Sequence, residues 1–131
     1  MSTRKVMLFM DSLESGGAQR QMVTLANVLH QRGYAVSITT YYPGDQLSGF
    51  LCSPAIGLHY VPRTHKYDVS FLGRLTRFFR SEAPDCIISY LTTANFWARI
   101  AGSLAGVTAI ITSERSLNLR AGLLPRLVEN T

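Results

Sequence analysis

Cysteine is nearly missing from this chain of 131 residues: Cys52 and Cys86 stand alone, without the short spacing of a metal site. Such a pair reads as ordinary thiols of a reducing compartment and excludes a disulfide framework or a zinc site. Charge is sparse too, at 16% of residues, below the usual quarter, so much of the chain must be interior or covered. Glycine and proline, at 10 and 5, are too few for a collagen-like or mucin-like chain. A hydrophobic content of 47% excludes a wholly disordered one. Behind Arg4 and Lys5, the N-terminus offers only Val6 to Met10 as an apolar run. That run is too short for a signal-peptide core and far too short to span a bilayer. The expected location is cytoplasmic.

The charge that is present leans positive. Thirteen Lys plus Arg against eight Asp plus Glu give a formal net charge of +5, which favours anionic partners such as phosphorylated small molecules. The cations are scattered and aromatic residues do not alternate with them, so nucleic acid is not an expected partner. The length fits a single domain over residues 1–131. A fold of that size buries roughly two thirds of its unfolded surface, enough for a real core.

Strands and helices alternate along the chain. Val6 to Met10 is continuously apolar, as in a parallel strand covered on both faces. A helix follows with Ala18, Met22, Leu25, Ala26 and Leu29 on one face. His30 and Arg32 suit its carboxyl end, and Gly33 is a left-handed stop. Ala35 to Tyr41 is a second strand, broken by Pro43-Gly44-Asp45, and Leu58 to Val61 a third. Asp68 or Ser70 caps the next helix, whose apolar face is Phe71, Leu72, Leu75, Phe78 and Phe79. Arg74, Arg77 and Arg80 fall opposite, a surface that can make peripheral contact with an anionic membrane. Cys86 to Tyr90 is a fourth strand. Phe96, Trp97, Ile100, Ala101 and Leu104 mark another helix, which Gly106 stops, and Ala109 to Thr112 a fifth strand. Leu123-Leu124 and Leu127-Val128 begin a last helix. The expected fold is α/β: a Rossmann-like, doubly wound parallel sheet in three α/β/α layers, unfinished at its C-terminal end.

Ligands of such sheets bind outside the carboxyl ends of the strands, where strand order reverses. With the order 3-2-1-4-5, three segments overhang that crevice: Ser12 to Arg20, Leu91 to Asn95, and Ser113 to Arg115. Ser15-Gly16-Gly17 opens a helix. Glycine permits positive φ and close approach of the backbone, and free amides at a helix start favour an anion. Equally, two glycines can simply make a tight turn. The spacing is neither G-x-G-x-x-G nor a Walker loop. Arg20 sits against the helix dipole unless an anion compensates it. Thr92, Thr93 and Asn95 bring hydroxyl and amide groups to the fourth strand's end, with Thr93 also readable as a helix cap. Glu114 and Arg115, after the fifth strand, could accept sugar hydroxyls and grip phosphate, or form an ordinary surface pair. Asp11 and Glu14 flank the crevice, and His65 could reach a ligand from its loop. His30 and His59 do not converge with it, and no metal-ligand spacing occurs.

The segments Lys5 to Arg20 (KVMLFMDSLESGGAQR), Pro84 to Tyr90, Thr93-Ala94-Asn95 and Ile110 to Arg115 resemble the N-terminal half of a family 4 (group 1) retaining glycosyltransferase of the GT-B fold. The similarity covers roughly residues 4 to 118. It implies an enzyme of polysaccharide-type biosynthesis that moves a sugar from a nucleotide-sugar donor to an acceptor hydroxyl, with retention and without metal or cofactor. Ser15, Gly16, Gly17 and Arg20 would approach the donor phosphates. Gln19, Thr92, Thr93, Asn95 and Ser113 would meet the acceptor, a glycan or lipid-linked molecule. Glu114 and Arg115 are the catalytic candidates, standing where many relatives place a histidine. The C-terminal donor domain with its Glu-x7-Glu motif is a further expected partner, and without it the 131 residues alone are expected to be inactive. Two other readings compete. One is a stand-alone nucleotide- or phosphate-binding module acting with a partner chain. The other is a small NAD-type oxidoreductase domain, against which the second strand ends in Tyr41-Tyr42 without a ribose-binding acid.

Overall fold

The computed structural model describes residues 4–64 and 69–113. One sheet contains five strands: β1 (Lys5–Met10), β2 (Ala35–Thr40), β3 (Gly57–Tyr60), β4 (Cys86–Tyr90) and β5 (Ala109–Ser113). All neighbours are parallel, in the order β3-β2-β1-β4-β5. This is the doubly wound α/β arrangement that the alternation predicts. Helix α1 (Gly17–Gln31) covers one face, and α2 (Val69–Glu82) and α3 (Thr92–Ala105) cover the other.

The central strand explains its own composition. Val6, Leu8 and Met10 pack with Met22, Val23 and Ala26 of α1, while Met7 and Phe9 face Phe71, Leu75 and Phe79 of α2 and the alanines of α3. With both faces covered, alternation with polar residues would bury those polar groups, so the strand reads as an unbroken apolar run. Phe9 anchors the second core. Its ring meets Phe79 edge-on at 5.6 Å and Tyr41 at 5.4 Å.

Several boundaries differ from those the sequence predicts. Val23 joins the buried face of α1, while Ala18, Leu25 and Leu29 only flank it. Tyr41 and Val61 lie beyond their strands yet stay buried. Helix α2 starts at Val69, so Ser70 is inside it, its hydroxyl accepting from Arg74 at 2.8 Å. Asp68 lies outside the described residues, as do His65 and the helix expected from Leu123. Helix α3 is capped by Leu91, without a side-chain hydrogen bond, and not by Thr93. Leu91 takes φ +78° while its N–H donates to the Ser113 carbonyl, and the chain therefore turns into the helix earlier. Gly33 and Gly106 do adopt the left-handed conformation expected of helix stops, at φ +95° and +80°.

The β2–β3 crossover carries only a 3₁₀ turn at Ser48–Phe50. Leu47 and Ile56 tuck into the core around α1, but Leu58 and Tyr60 of β3 remain 49% and 53% exposed. On the other face, Ser37, Thr39 and Ser89 are buried hydroxyls without a hydrogen-bond partner among the described residues. The arginine face of α2 is partly engaged: Arg74 donates to the Pro62 carbonyl and Arg80 to that of Leu104. Among the described residues, no helix is long and apolar enough to cross a membrane.

Candidate functional site

The carboxyl edge of the sheet, between β1 and β4, forms a lip organised by Asp11. Its carboxylate accepts the Ser12 N–H at 2.7 Å and the Gln19 side-chain amide at 3.1 Å. Its carbonyl accepts the N–H groups of Tyr41 and Tyr42 at 3.2 and 2.8 Å. One residue thus ties together the ends of β1 and β2 and the first turn of α1. The Ser15 N–H donates to the Gln46 side chain at 3.0 Å, and the Leu13 N–H to the Gly44 carbonyl at 3.0 Å. The Ser12–Gly16 loop is therefore fixed before any ligand arrives.

Helix α1 begins without a side-chain cap and without an acid in its first turn. The Arg20 N–H donates to the Gly16 carbonyl at 2.9 Å, so the amides of Gly17, Ala18 and Gln19 precede the first intrahelical bond. These amides and the helix dipole give the lip a positive end. Gly16 is extended at φ −167°, and neither glycine takes a positive φ. The positive φ that glycine permits is not used here, since Gly16 is extended where the loop enters the helix. Close approach is the property that remains. A Cβ on Gly17 would meet nothing within 4 Å, whereas one on Gly16 would lie 2.4 Å from Gln19 Oε1. Arg20 arches back over this end, its Nη2 donating to Ser15 Oγ at 2.9 Å. It also lines a groove of about 410 Å³ with Tyr90 at the end of β4, the residue just before the second predicted segment.

Across the lip, Thr92 and Thr93 are exposed. Asn95 is not: it is 1% exposed, and its Nδ2 donates to the Ser113 carbonyl at 3.1 Å. Its amide binds α3 to β5 and does not face outward. The Oδ1 has no partner among the described residues. Ser113 is buried at the end of β5, and Glu114 and Arg115 lie outside the described residues. Gln19, expected at the acceptor, instead spends its side-chain N–H on Asp11. Among the described residues no three His, Cys, Asp or Glu gather closely enough to hold a metal ion.

Two features of this edge escape the linear pattern. Arg63, just past β3, donates to the Tyr42 hydroxyl at 2.9 Å and lies over the Trp97 ring at 5.2 Å. Tyr41 is buried beside Asp11, and burial, reinforced by that carboxylate, pushes its phenol well above the usual range. Tyr41, Tyr42 and Arg63 immediately follow the second and third strands, so strand order was the signal that could have found them.

The family model of the glycosyl transferase 4-like domain matches residues 16–129. The chain belongs to this family. The match takes in the α1 amino end, the Thr92–Asn95 segment and Ser113 of this glycosyltransferase 4-like domain, and begins after Asp11 and Ser15. In solved structures the domain is similar to formyltetrahydrofolate deformylase from Burkholderia mallei ATCC 23344, with a TM-score of 0.52 and 15% identity. The alignment covers 85% of this chain and 37% of that one, and at such identity the likeness is one of fold. Among curated proteins none matches the chain.

Proposed function

We propose that this domain is the acceptor-side half of a retaining glycosyltransferase that uses a nucleotide-sugar donor. The observation that carries the reading is the uncapped α1 amino end, with Gly17 open to close approach, at the lip of a glycosyltransferase 4-like domain. Gly16 and Gly17 let the donor diphosphate near the first-turn amides. Arg20, released from Ser15, adds a cation. Departure of the diphosphate from the front face is then stabilised by N–H groups and charge already in place. Thr92 and Thr93 supply exposed hydroxyls for the acceptor. Asn95 and Gln19 act as positioning residues, holding β5 and Asp11. Glu114 and Arg115, next in the chain after Ser113, are assigned to the reacting centre. No metal takes part in this scheme, and the domain works at the cytoplasmic side of a membrane or in the cytoplasm.

The test is Gly17→Trp in a protein that joins this domain to a donor-binding half. The indole fills the open space beside the amides, so donor turnover is lost while the circular dichroism spectrum is kept. Normal donor kinetics in that variant would refute the loop assignment. The 131-residue chain alone transfers no sugar; turnover by the purified chain would contradict the division of labour. Restored activity only with a separately encoded partner would favour the stand-alone module.

A further inference from the structure

A groove of about 430 Å³ opens below the lip on the α1 side of β2 and β3. It exists because the β2–β3 crossover, which carries only a 3₁₀ turn, leaves Leu58 and Tyr60 exposed. Ile38, Leu58, Tyr42, Pro43 and Tyr60 line it. Thr40, Asp45 and His59 are its polar side chains, beside the hydroxyl-bearing Tyr42 and Tyr60. Tyr42 is held rigidly, its ring 4.8 Å from that of Tyr41 and its hydroxyl accepting from Arg63. Asp45 is exposed, and no side-chain hydrogen bond or ion pair occupies its carboxylate among the described residues.

The lining selects a ligand class. Two half-exposed aromatic side chains, with aliphatic Ile38 and Leu58 in the same lining, match a ring that presents C–H groups on its faces. A free carboxylate and a threonine at the margin match hydroxyls on the ring's edge. In a chain of net charge +5, no Lys or Arg lines this groove, so it is not built for phosphate, and Asp45 repels anions. An acyl chain would gain from Leu58 but has no hydroxyl for Asp45. Leu13 and Gly44 border the groove and belong to the loops that carry the lip, so one extended molecule can occupy both.

We propose that this groove binds a neutral glycosyl unit of the acceptor, which makes the acceptor a glycan lying across the β3 edge. This rests on the acceptor-side reading above. The test uses the intact chain and a panel of methyl hexopyranosides and α- and β-linked neutral disaccharides. Saturation transfer to sugar C–H protons is expected, with amide shift changes at Tyr42, Leu58 and Tyr60. Tyr60→Ala, an exposed position that leaves the fold intact, weakens binding about tenfold. Asp45→Asn weakens it less and no longer disfavours a uronic acid. The proposal is overturned if no sugar shifts the groove amides, if Tyr60→Ala binds as well as the parent, or if octanol competes with the sugar at equal concentration. Donor turnover with an empty groove would sink this inference alone. A sugar-filled groove in a joined protein that uses no nucleotide sugar would sink the function and leave the groove standing.

Discussion

Gly17 offers a separation of folding from function that one substitution can measure. It starts α1 with no positive φ, and a Cβ there meets nothing within 4 Å. The fold therefore gains nothing from glycine at this position, while the unfolded chain retains its extra freedom. Gly17→Ala should stabilise the domain by about 0.4–1 kcal/mol through the unfolded state, raising Tm by about 2–5 °C. Urea unfolding followed by circular dichroism would show a higher midpoint with an unchanged m. Two neighbours calibrate the measurement. Gly33 holds φ +95°, so Gly33→Ala should cost about 1–2 kcal/mol. Gly16→Ala makes the flexible end of the Gln19 side chain swing aside, at a cost of at most about 1 kcal/mol, that of its hydrogen bond to Asp11. A lower midpoint for Gly17→Ala would mean that the fold itself requires this glycine. The argument that it is kept open for a ligand would then fail.

Two further outcomes follow from the core. Phe79→Ala empties a fully buried position that meets Phe9 edge-on and should cost about 3–5 kcal/mol in denaturant unfolding. A loss under 1 kcal/mol would contradict the packing described. Tyr41 carries a phenol raised above its ordinary 10.0 by burial and then by Asp11. Between the ordinary value and the raised one, the unfolded chain releases this proton and the folded chain keeps it. Stability is thus full below about pH 10 and falls as pH rises above it. Tyr41→Phe should flatten that decline, and an unchanged slope would show that the phenol is not held neutral.

The order of the strands was legible because short apolar or β-branched runs alternate with amphipathic segments, a pattern for which parallel pairing leaves few topologies. Val6 to Met10 and Cys86 to Tyr90 carry that information locally. The start of α3 was not legible, because it depends on the Leu91 N–H meeting a carbonyl of β5, twenty-two positions downstream at Ser113. For the same reason Asn95 looked like a surface amide: its hydrogen-bonding partner belongs to another strand. Gly16 and Gly17 stand out in the sequence, but their dihedral angles do not, since composition reports that a turn is available and not the conformation it takes. The groove left by the β2–β3 crossover is a matter of what fails to cover a strand, and no local periodicity records an uncovered face.

The Ser113 carbonyl takes hydrogens from both Leu91 N and Asn95 Nδ2, and this double attachment has a mechanical consequence. To shift the tip of β5 by itself, both contacts must be released together, with one donor inside the interior. Helix and strand there travel as a single hinge leaf. A displacement of Ser113 therefore carries the amino end of α3 with it.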